Sequence, residues 1–516
     1  MSDPSGPHSL RPRRPFRRTL AELAEHLGAA VPPGAPDAVV TGVTHDSRAV
    51  QPGDLYAALP GGSTHGARFA DAAREAGAVA CLTDPEGSSA AEQAGLPTYV
   101  VDVPRRVLGH LAAWIYGEPA GDLTTFGVTG TNGKTTTAYL LEAGLRAAGR
   151  TTGLVGTIET RIADAVVPSV RTTPEATDLQ ALLAVMRERG VEAVAMEVSS
   201  HALAMGRVDG MTYDVAVFTN LSEDHLDFHP DVESYFQAKA SLFTPERARR
   251  AVIDTDDPYG ERLAGLSRAA GVPVVTVSPE GRQGADWRVV DVALAGEGSR
   301  FRLLGPSGAA VDAGTALPGA FNVDNAALAV VALVASGVDA DVAAAGVQAC
   351  HGVPGRMERV DVGAPFLSLV DYAHSPDALE RLLVTARALV GSADGRLLVV
   401  VGCGGDRDPY KRPMMGAIAA RDADIAVLTS DNPRSEDPLA ILAAMREGAA
   451  SVTGGGTVEV VPERREAIER AVQLARPGDV LVVAGRGHEQ GQEVAGVVHP
   501  FDDRAVLREA IAAVLS

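Results

Sequence analysis

The chain reads as an α/β protein built from three successive units, and three observations carry that reading. Apolar β-type runs alternate with helical stretches from end to end, the pattern of parallel strands joined by crossover helices. The 516 residues exceed the roughly 250–300 at which one core stops growing, so two to four domains are expected. Aromatic residues are only 4%, so the cores must be built from Ala, Val and Leu, which suits helices packed on buried strands.

The first unit mixes short runs (AVVTGV, LYAAL, AVACLT, TYVVDV) with helical stretches such as FADAAREAGA. Within it, THDSRAVQPGDL brings Asp46, Ser47 and Arg48 just after an apolar run; as structure alone, Asp-Ser is a turn signal. The second unit opens with the run LTTFGVTG, then TNGKTT, then AYLLEAGLRAAG, whose apolar positions recur at helical spacing. Its further runs GLVGTI, AVAMEVS and DVAVFTN are almost continuously apolar, as strands buried on both faces are. The third follows GVPGRMERV, with strands RLLVVVG, DIAVLTS, VEVVP and VLVVAG separated by helical segments. The expected domains are residues 21–120, 121–350 and 351–516, after a disordered basic tail over 1–20.

A formal net charge of −20 argues against a polyanionic partner such as nucleic acid or an acidic membrane, though local Arg and Lys can still hold a small anion. Cys81, Cys350 and Cys403 are far apart and odd in number, without zinc or disulfide spacing, which fits a reducing cytoplasm. The N-terminal Arg-rich stretch lacks an apolar segment behind it, so no secretory signal is expected, and no run is long enough to span a bilayer.

Gly130-Thr131-Asn132-Gly133-Lys134-Thr135-Thr136 lies between a strand and a helix. Glycines admit backbone N–H groups to phosphate oxygens, the helix start adds partial positive charge, Lys134 adds a full one, and Thr135 can offer a hydroxyl to Mg²⁺. Val128 stands where the generic phosphate loop has its first glycine, so this is a shorter GTNGKTT form. Glu197 ends the run AVAMEVS, where a carboxylate near the loop can hold Mg²⁺. NLSEDHLD, with His225, follows DVAVFTN, and Lys239 falls on an expected helix downstream.

These residues resemble the Mur ligase family, which also includes folylpolyglutamate synthetases. The shared segments are TGTNGKTT, MEVSSHAL, FTNLSEDHLDFH, QAKASLF, LPGAFNVDNAALAV, GVPGRMERV and VDYAHSPDAL, in the family's order and along the whole chain. The resemblance implies a three-domain architecture with a P-loop central domain and a Rossmann-like C-terminal domain. It implies ATP binding by Gly130 to Thr136, with Lys134 on the β/γ-phosphates, and by Asn322, Asn325, Arg356 and Asp371. Thr135 and Glu197 would hold one Mg²⁺; Glu197, His225 and a carbamylated Lys239 would hold a second. Ser47, Thr172, Thr173, Ser199 and Arg207 would contact a UDP-muramoyl dipeptide.

Three polar segments follow three strands of the last unit: GCGGDRD (402–408), SDNPR (430–434) and AGRGHE (484–489). In a parallel sheet they converge on one edge. Two guanidiniums, Arg407 and Arg434, suit carboxylates; Asp431, Asn432 and Glu489 suit an ammonium. This set resembles the diaminopimelate-adding branch, whose marker is Asp431-Asn432-Pro433-Arg434; Gly485 would join the same grip. Arg434 would pair with the distal carboxylate, which lysine lacks. The departures are Ser375 for Thr, Arg486 for Lys, and Pro409-Tyr410 within DRDPYKRP.

The implied activity is ATP-dependent addition of 2,6-diaminopimelate, the meso form ahead of LL, to UDP-N-acetylmuramoyl-L-alanyl-D-glutamate through an acyl phosphate, in peptidoglycan synthesis by a cytoplasmic monomer. A lysine-adding relative is disfavoured by DNPR, and a folylpolyglutamate synthetase by the GDRD, DNPR and GRGHE set. A nucleotide switch is disfavoured by the missing NKxD-type signature and by the extra domain.

Overall fold

The computed structural model describes residues 10–295, 298–391 and 394–515. Its first sheet has four parallel strands in chain order, Gly42–Thr44, Asp54–Ala58, Ala80–Thr83 and Thr98–Val100. The helix Pro104–Ile115 leads out of this sheet and packs on the helix Ala176–Glu188 of the next domain. Leu108, Leu111, Ala181 and Ala184 share one buried cluster across that junction.

The basic N-terminal segment departs from the disorder expected over 1–20. Residues 1–9 lie outside the described residues, but from Leu10 onward the chain is packed. Arg11 is largely buried and pairs with Asp54 at 3.1 Å. The backbone N–H groups of Arg13 and Arg14 donate to the Glu188 carboxylate at 2.8 and 2.7 Å. Arg18 lies 4.5 Å over the Trp114 ring, and Arg18–Thr19 pairs antiparallel with Val39–Val40. Composition shows the charges of this segment but not the acceptors, which come from residues 43 to 175 positions away.

The central sheet has eleven strands. Six parallel ones lie in the spatial order Thr152–Val155, Ala193–Glu197, Thr124–Thr129, Val215–Phe218, Ala251–Asp254 and Val274–Ser278. Thr124–Thr129 is therefore flanked by the two strands that lead to Glu197 and Asn220, which puts all three carboxyl ends side by side. An antiparallel hairpin closes one edge and three strands, the last two antiparallel, extend the other. The helices Lys134–Ala147 and Ala320–Ala335 cover one face through Leu140, Leu141, Val330 and Leu333. Each such fully buried aliphatic side chain contributes about 1.5–3 kcal/mol.

The last sheet runs Glu358–Arg359, Leu367–Asp371, Val480–Ala484, Leu397–Val401, Ile425–Leu428, Thr457–Val460; all but the first are parallel. Aromatic side chains are sparse in its interior, which Val, Leu, Ala and Met fill. A small hairpin, Gly491–Val494 with Val497–Pro500, folds over the carboxyl edge. The strand Val480–Ala484 sits between Leu367–Asp371 and Leu397–Val401, so polar loops distant in sequence become neighbours.

Candidate active site

A cavity of about 470 Å³ opens between the central and C-terminal domains. Its floor is the loop from Thr131 to Thr136. Gly133 has φ 87° and a Cβ there would strike Asn325 Oδ1, so glycine is required twice over. Gly133 precedes the helix Lys134–Ala147 and gives it no side-chain cap, so the first amides of that helix are left to an anion from outside it.

Lys134 Nζ donates to the carbonyls of Gly130 (3.0 Å) and Thr131 (2.8 Å), and Lys239 Nζ also donates to Gly130 O at 2.7 Å. Both amines are buried. Burial, reinforced by the neighbouring Lys134 charge, holds the Lys239 amine far below its usual range. Lys134 is lowered by burial too, against the attraction of Glu197 and Asp224. Glu197 accepts from Thr135 Oγ1 (2.9 Å), the Thr157 N–H (2.7 Å) and Thr157 Oγ1 (3.1 Å). His225 lines the same cavity at φ 56°, an unfavourable backbone for a non-glycine residue, and burial draws its imidazole down to about 4.

The C-terminal domain forms the roof. Arg356 donates to Thr135 Oγ1 at 3.1 Å while its guanidinium lies 4.4 Å over the Tyr372 ring. Asp371 accepts from the N–H groups of Met357 (2.7 Å) and Ala373 (2.8 Å), and burial raises its carboxyl. Asp377 accepts from Asn132 Nδ2 at 2.9 Å and Ser222 Oγ at 3.1 Å, a direct tie from this domain to the phosphate loop. At the far end of the cavity, Asp254 is pushed up to about 8 and Asp324 to about 7, in both cases first by burial.

Thr172 and Ser199 line the cavity beside Glu197. Thr173 lies underneath, donating from Oγ1 to Glu197 O (2.9 Å) and accepting from the Ser199 N–H (3.1 Å). Arg207 pairs with buried Glu175 at 2.9 Å, which also takes Arg105 and Arg171. Ser47 lies in the first domain near Tyr56, whose hydroxyl donates to Gly66 O at 2.9 Å. Neither Ser47 nor Arg207 lines the nucleotide cavity. Asn322 is also set back from it: its Oδ1 accepts from Asn325 Nδ2 at 3.2 Å, so it orients Asn325.

The three polar loops of the C-terminal sheet converge as expected. Asn432 Nδ2 donates to Glu489 Oε2 at 2.9 Å, and Arg434 Nη1 to Gly405 O at 2.6 Å. A Cβ on Gly485, which has φ 112°, would lie 2.6 Å from Asp431 Oδ2. That oxygen is buried and has no hydrogen-bond partner among the described residues. Burial, and next the Asp431 charge, raise Glu489. Two carboxyl groups thus lie side by side with one oxygen unpartnered, with Arg434 half-buried and Arg407 exposed nearby. The hairpin adds a wall: Arg434 at φ 51° pairs through its backbone with Glu493 and Ala495. Arg486 is fully buried, donating to Gly491 O (2.6 Å) and, through Nη1, to Asp431 O and Asn432 Oδ1 (both 3.3 Å), so it braces this wall. Tyr410 points to solvent at 83% exposure, away from any pocket-shaping role.

Family models match along the chain: "Mur ligase family, catalytic domain" over residues 39–116, "Mur ligase middle domain" over 128–333, and "Mur ligase, glutamate ligase domain" over 355–487. The chain belongs to the Mur ligase family. Among relatives, the UDP-N-acetylmuramoyl-L-alanyl-D-glutamate–2,6-diaminopimelate ligase of Streptomyces coelicolor is 60% identical over 507 residues, covering 98% of both chains. The ligase of the same name from Corynebacterium glutamicum is 50% identical over 467 residues, 89% of each. A solved structure of a ligase with that name superposes with TM-score 0.69 at 32% identity, over 97% of this chain and 100% of the other.

Seen as a Mur ligase, the chain holds more around its cavity than its motifs announced. Thr157, Tyr372, Arg381 and Asp224 all line it. Tyr372 and Asp224 lie inside quoted motifs without a charge pattern that singles them out. Thr157 follows a short apolar strand, and only the pairing of that strand with Ala193–Glu197 brings it to Glu197. Among the described residues no three His, Cys, Asp or Glu side chains cluster as a metal site.

Proposed function

We propose that this Mur ligase adds 2,6-diaminopimelate, the meso form in preference, to UDP-N-acetylmuramoyl-L-alanyl-D-glutamate with cleavage of ATP to ADP and phosphate. The observation that carries this reading is the carboxyl edge of the last sheet, where buried Asp431 Oδ2 has no hydrogen-bond partner among the described residues, Glu489 is raised beside it, and Arg434 stands at the same edge. A ligand with an ammonium and a carboxylate at its distal end answers both. The similar proteins named as diaminopimelate ligases support it.

ATP belongs in the central cavity, its phosphates on the loop Gly130–Thr136 and the start of the following helix. Asn325, Arg356 and Asp371 bound the remainder, with Asn322 holding Asn325. The dipeptide carboxylate attacks the γ-phosphate to give an acyl phosphate and ADP. The amine of diaminopimelate then attacks the acyl carbon, and phosphate leaves. Lys134 offsets phosphoryl charge, Arg207 and Ser199 hold the dipeptide side, and Arg407, Asn432 and Gly485 complete the amino-acid grip. Thr172, Thr173 and Ser47 belong to the same dipeptide path. Alignment of the reactants supplies roughly 7–11 kcal/mol of barrier lowering.

The donor set fits Mg²⁺, a cation that takes oxygen ligands. Glu197 and Thr135 offer oxygens next to each other, and His225 and Lys239 line the same cavity. A deprotonated Lys239 amine is the form that takes up CO₂, and the resulting carbamate is the oxygen ligand the cluster otherwise lacks. Mg²⁺ bound there would neutralise charge on the transferred phosphoryl group.

The test is direct: incubate the protein with ATP, Mg²⁺, UDP-N-acetylmuramoyl-L-alanyl-D-glutamate and, separately, meso-diaminopimelate, LL-diaminopimelate or L-lysine, and weigh the products. A tripeptide with diaminopimelate and none with lysine is expected. Product with lysine alone overturns the amino-acid assignment, and no product in any tube overturns the acceptor.

A further inference from the structure

Behind the amino-acid edge lies a charged pair that touches no proposed substrate. Arg464 is the first residue of the helix Arg464–Leu474, and Asp503 the first of Asp503–Leu515. Both side chains are wholly buried, and the carboxylate takes the guanidinium in a fork, Nε to Oδ1 at 2.8 Å and Nη2 to Oδ2 at 2.7 Å. The guanidinium has further N–H groups, and they do not stay in the pair. Nη2 donates to Ala484 O at 2.9 Å, and Nη1 to Ser430 O at 3.3 Å.

Those two carbonyls immediately precede Gly485 and Asp431. Ala484 ends the strand Val480–Ala484, and Ser430 follows Ile425–Leu428; the strand Leu397–Val401 lies between them. The two chain ends therefore belong to strands that are not neighbours and share no ladder bond. One planar guanidinium reaches both, a span that its fixed donor fork suits and a single ammonium does not. Stability alone does not account for the pair, because burying two charges costs about as much as their attraction returns, and apolar replacements are often as stable. What it does supply is a fixed separation between the loop Asp431–Arg434 and the loop Gly485–Glu489.

We propose that Arg464, held by Asp503, is a positioning residue for the incoming amino acid: it fixes the two loops that carry Asp431, Arg434 and Glu489 at the separation their ligand needs. This rests on the amino-acid assignment given under Proposed function.

The deciding variant is the double replacement Arg464→Met with Asp503→Leu, which removes the pair without leaving a lone buried charge. Steady-state ligation is measured on the full-length protein with each substrate varied in turn, alongside thermal unfolding. The expected result is a folded protein whose KM for diaminopimelate rises at least about tenfold, with KM for ATP and for the UDP-dipeptide within about twofold of the parent. Arg464→Lys, which keeps the charge but cannot reach both carbonyls, is expected to show the same selective rise, and it decides the matter if the double variant does not fold. An unchanged KM for diaminopimelate in either folded variant overturns the proposal, as does an equal rise in all three KM values. Failure of the parent protein itself to ligate diaminopimelate would instead strike the functional assignment.

Discussion

The nucleotide cavity and the amino-acid edge use the same device and differ in how they are filled. Both lie at the carboxyl ends of parallel strands, where loops from separated parts of the chain meet. The cavity is backbone-built at its phosphate loop, where Lys134 and Arg356 stand beside the glycine-rich turn and helix start, while Glu197, Asp254 and Asp324 line it as well. The edge is acid-rich at its base, with buried Asp431 beside half-buried Glu489, and cationic at its rim. The ligands proposed for them follow this contrast, a polyphosphate in one and a zwitterionic amino acid in the other. The two domains are tied at the cavity by Arg356 to Thr135 and by Asp377 to Asn132 and Ser222.

The sharpest break of the contrast is at Lys134. Lys134→Ala is expected to cut turnover by at least about 10³-fold at saturating ATP, as loss of a group aimed at transition-state charge does; ligation within tenfold of the parent would contradict its role. Lys239→Ala should fall almost as far. It should also erase a carbamate resonance that ¹³C-bicarbonate produces in the parent, and its persistence in the variant would place the carbamate elsewhere.

The edge should answer differently. Arg434→Ala is expected to raise KM for diaminopimelate by about 30-fold, roughly 2 kcal/mol, while KM for ATP stays put. A matched rise in both would mean that the two sites do not act separately.

That difference also explains what could be read from the sequence. The phosphate loop is one contiguous stretch, so its residue types and spacing announce its chemistry. Glu197, His225 and Lys239 come from separate strands and a helix, and their type alone did not assemble them. The amino-acid edge was readable because strand ends in a parallel sheet must share a side, which brought 402–408, 430–434 and 484–489 together on paper. Contacts that depend on tertiary approach stayed hidden: Thr157 on Glu197, the hairpin backbone against Arg434, and the Arg464–Asp503 pair. The packed segment from Leu10 was missed for the same reason, since Asp54 and Glu188 meet it only in the fold.

The smallest expected effect is on stability. Asp254, raised to about 8 chiefly by burial, keeps its proton in the folded protein at a pH where the unfolded chain has lost it. Ionisation therefore disfavours the fold, and stability should decline as pH rises from about 4 to about 8. Asp254→Asn should flatten that decline by at least about 1 kcal/mol; denaturant midpoints across this range that match the parent's would remove Asp254 as its source.

The most direct measurement is the ratio of kcat/KM for meso-diaminopimelate to that for L-lysine, in the parent and in Arg434→Ala. A site that pairs a guanidinium with the distal carboxylate should favour diaminopimelate by at least about 10³, and most of that preference should vanish with Arg434. Equal use of both amino acids by the parent would contradict the assignment of this edge.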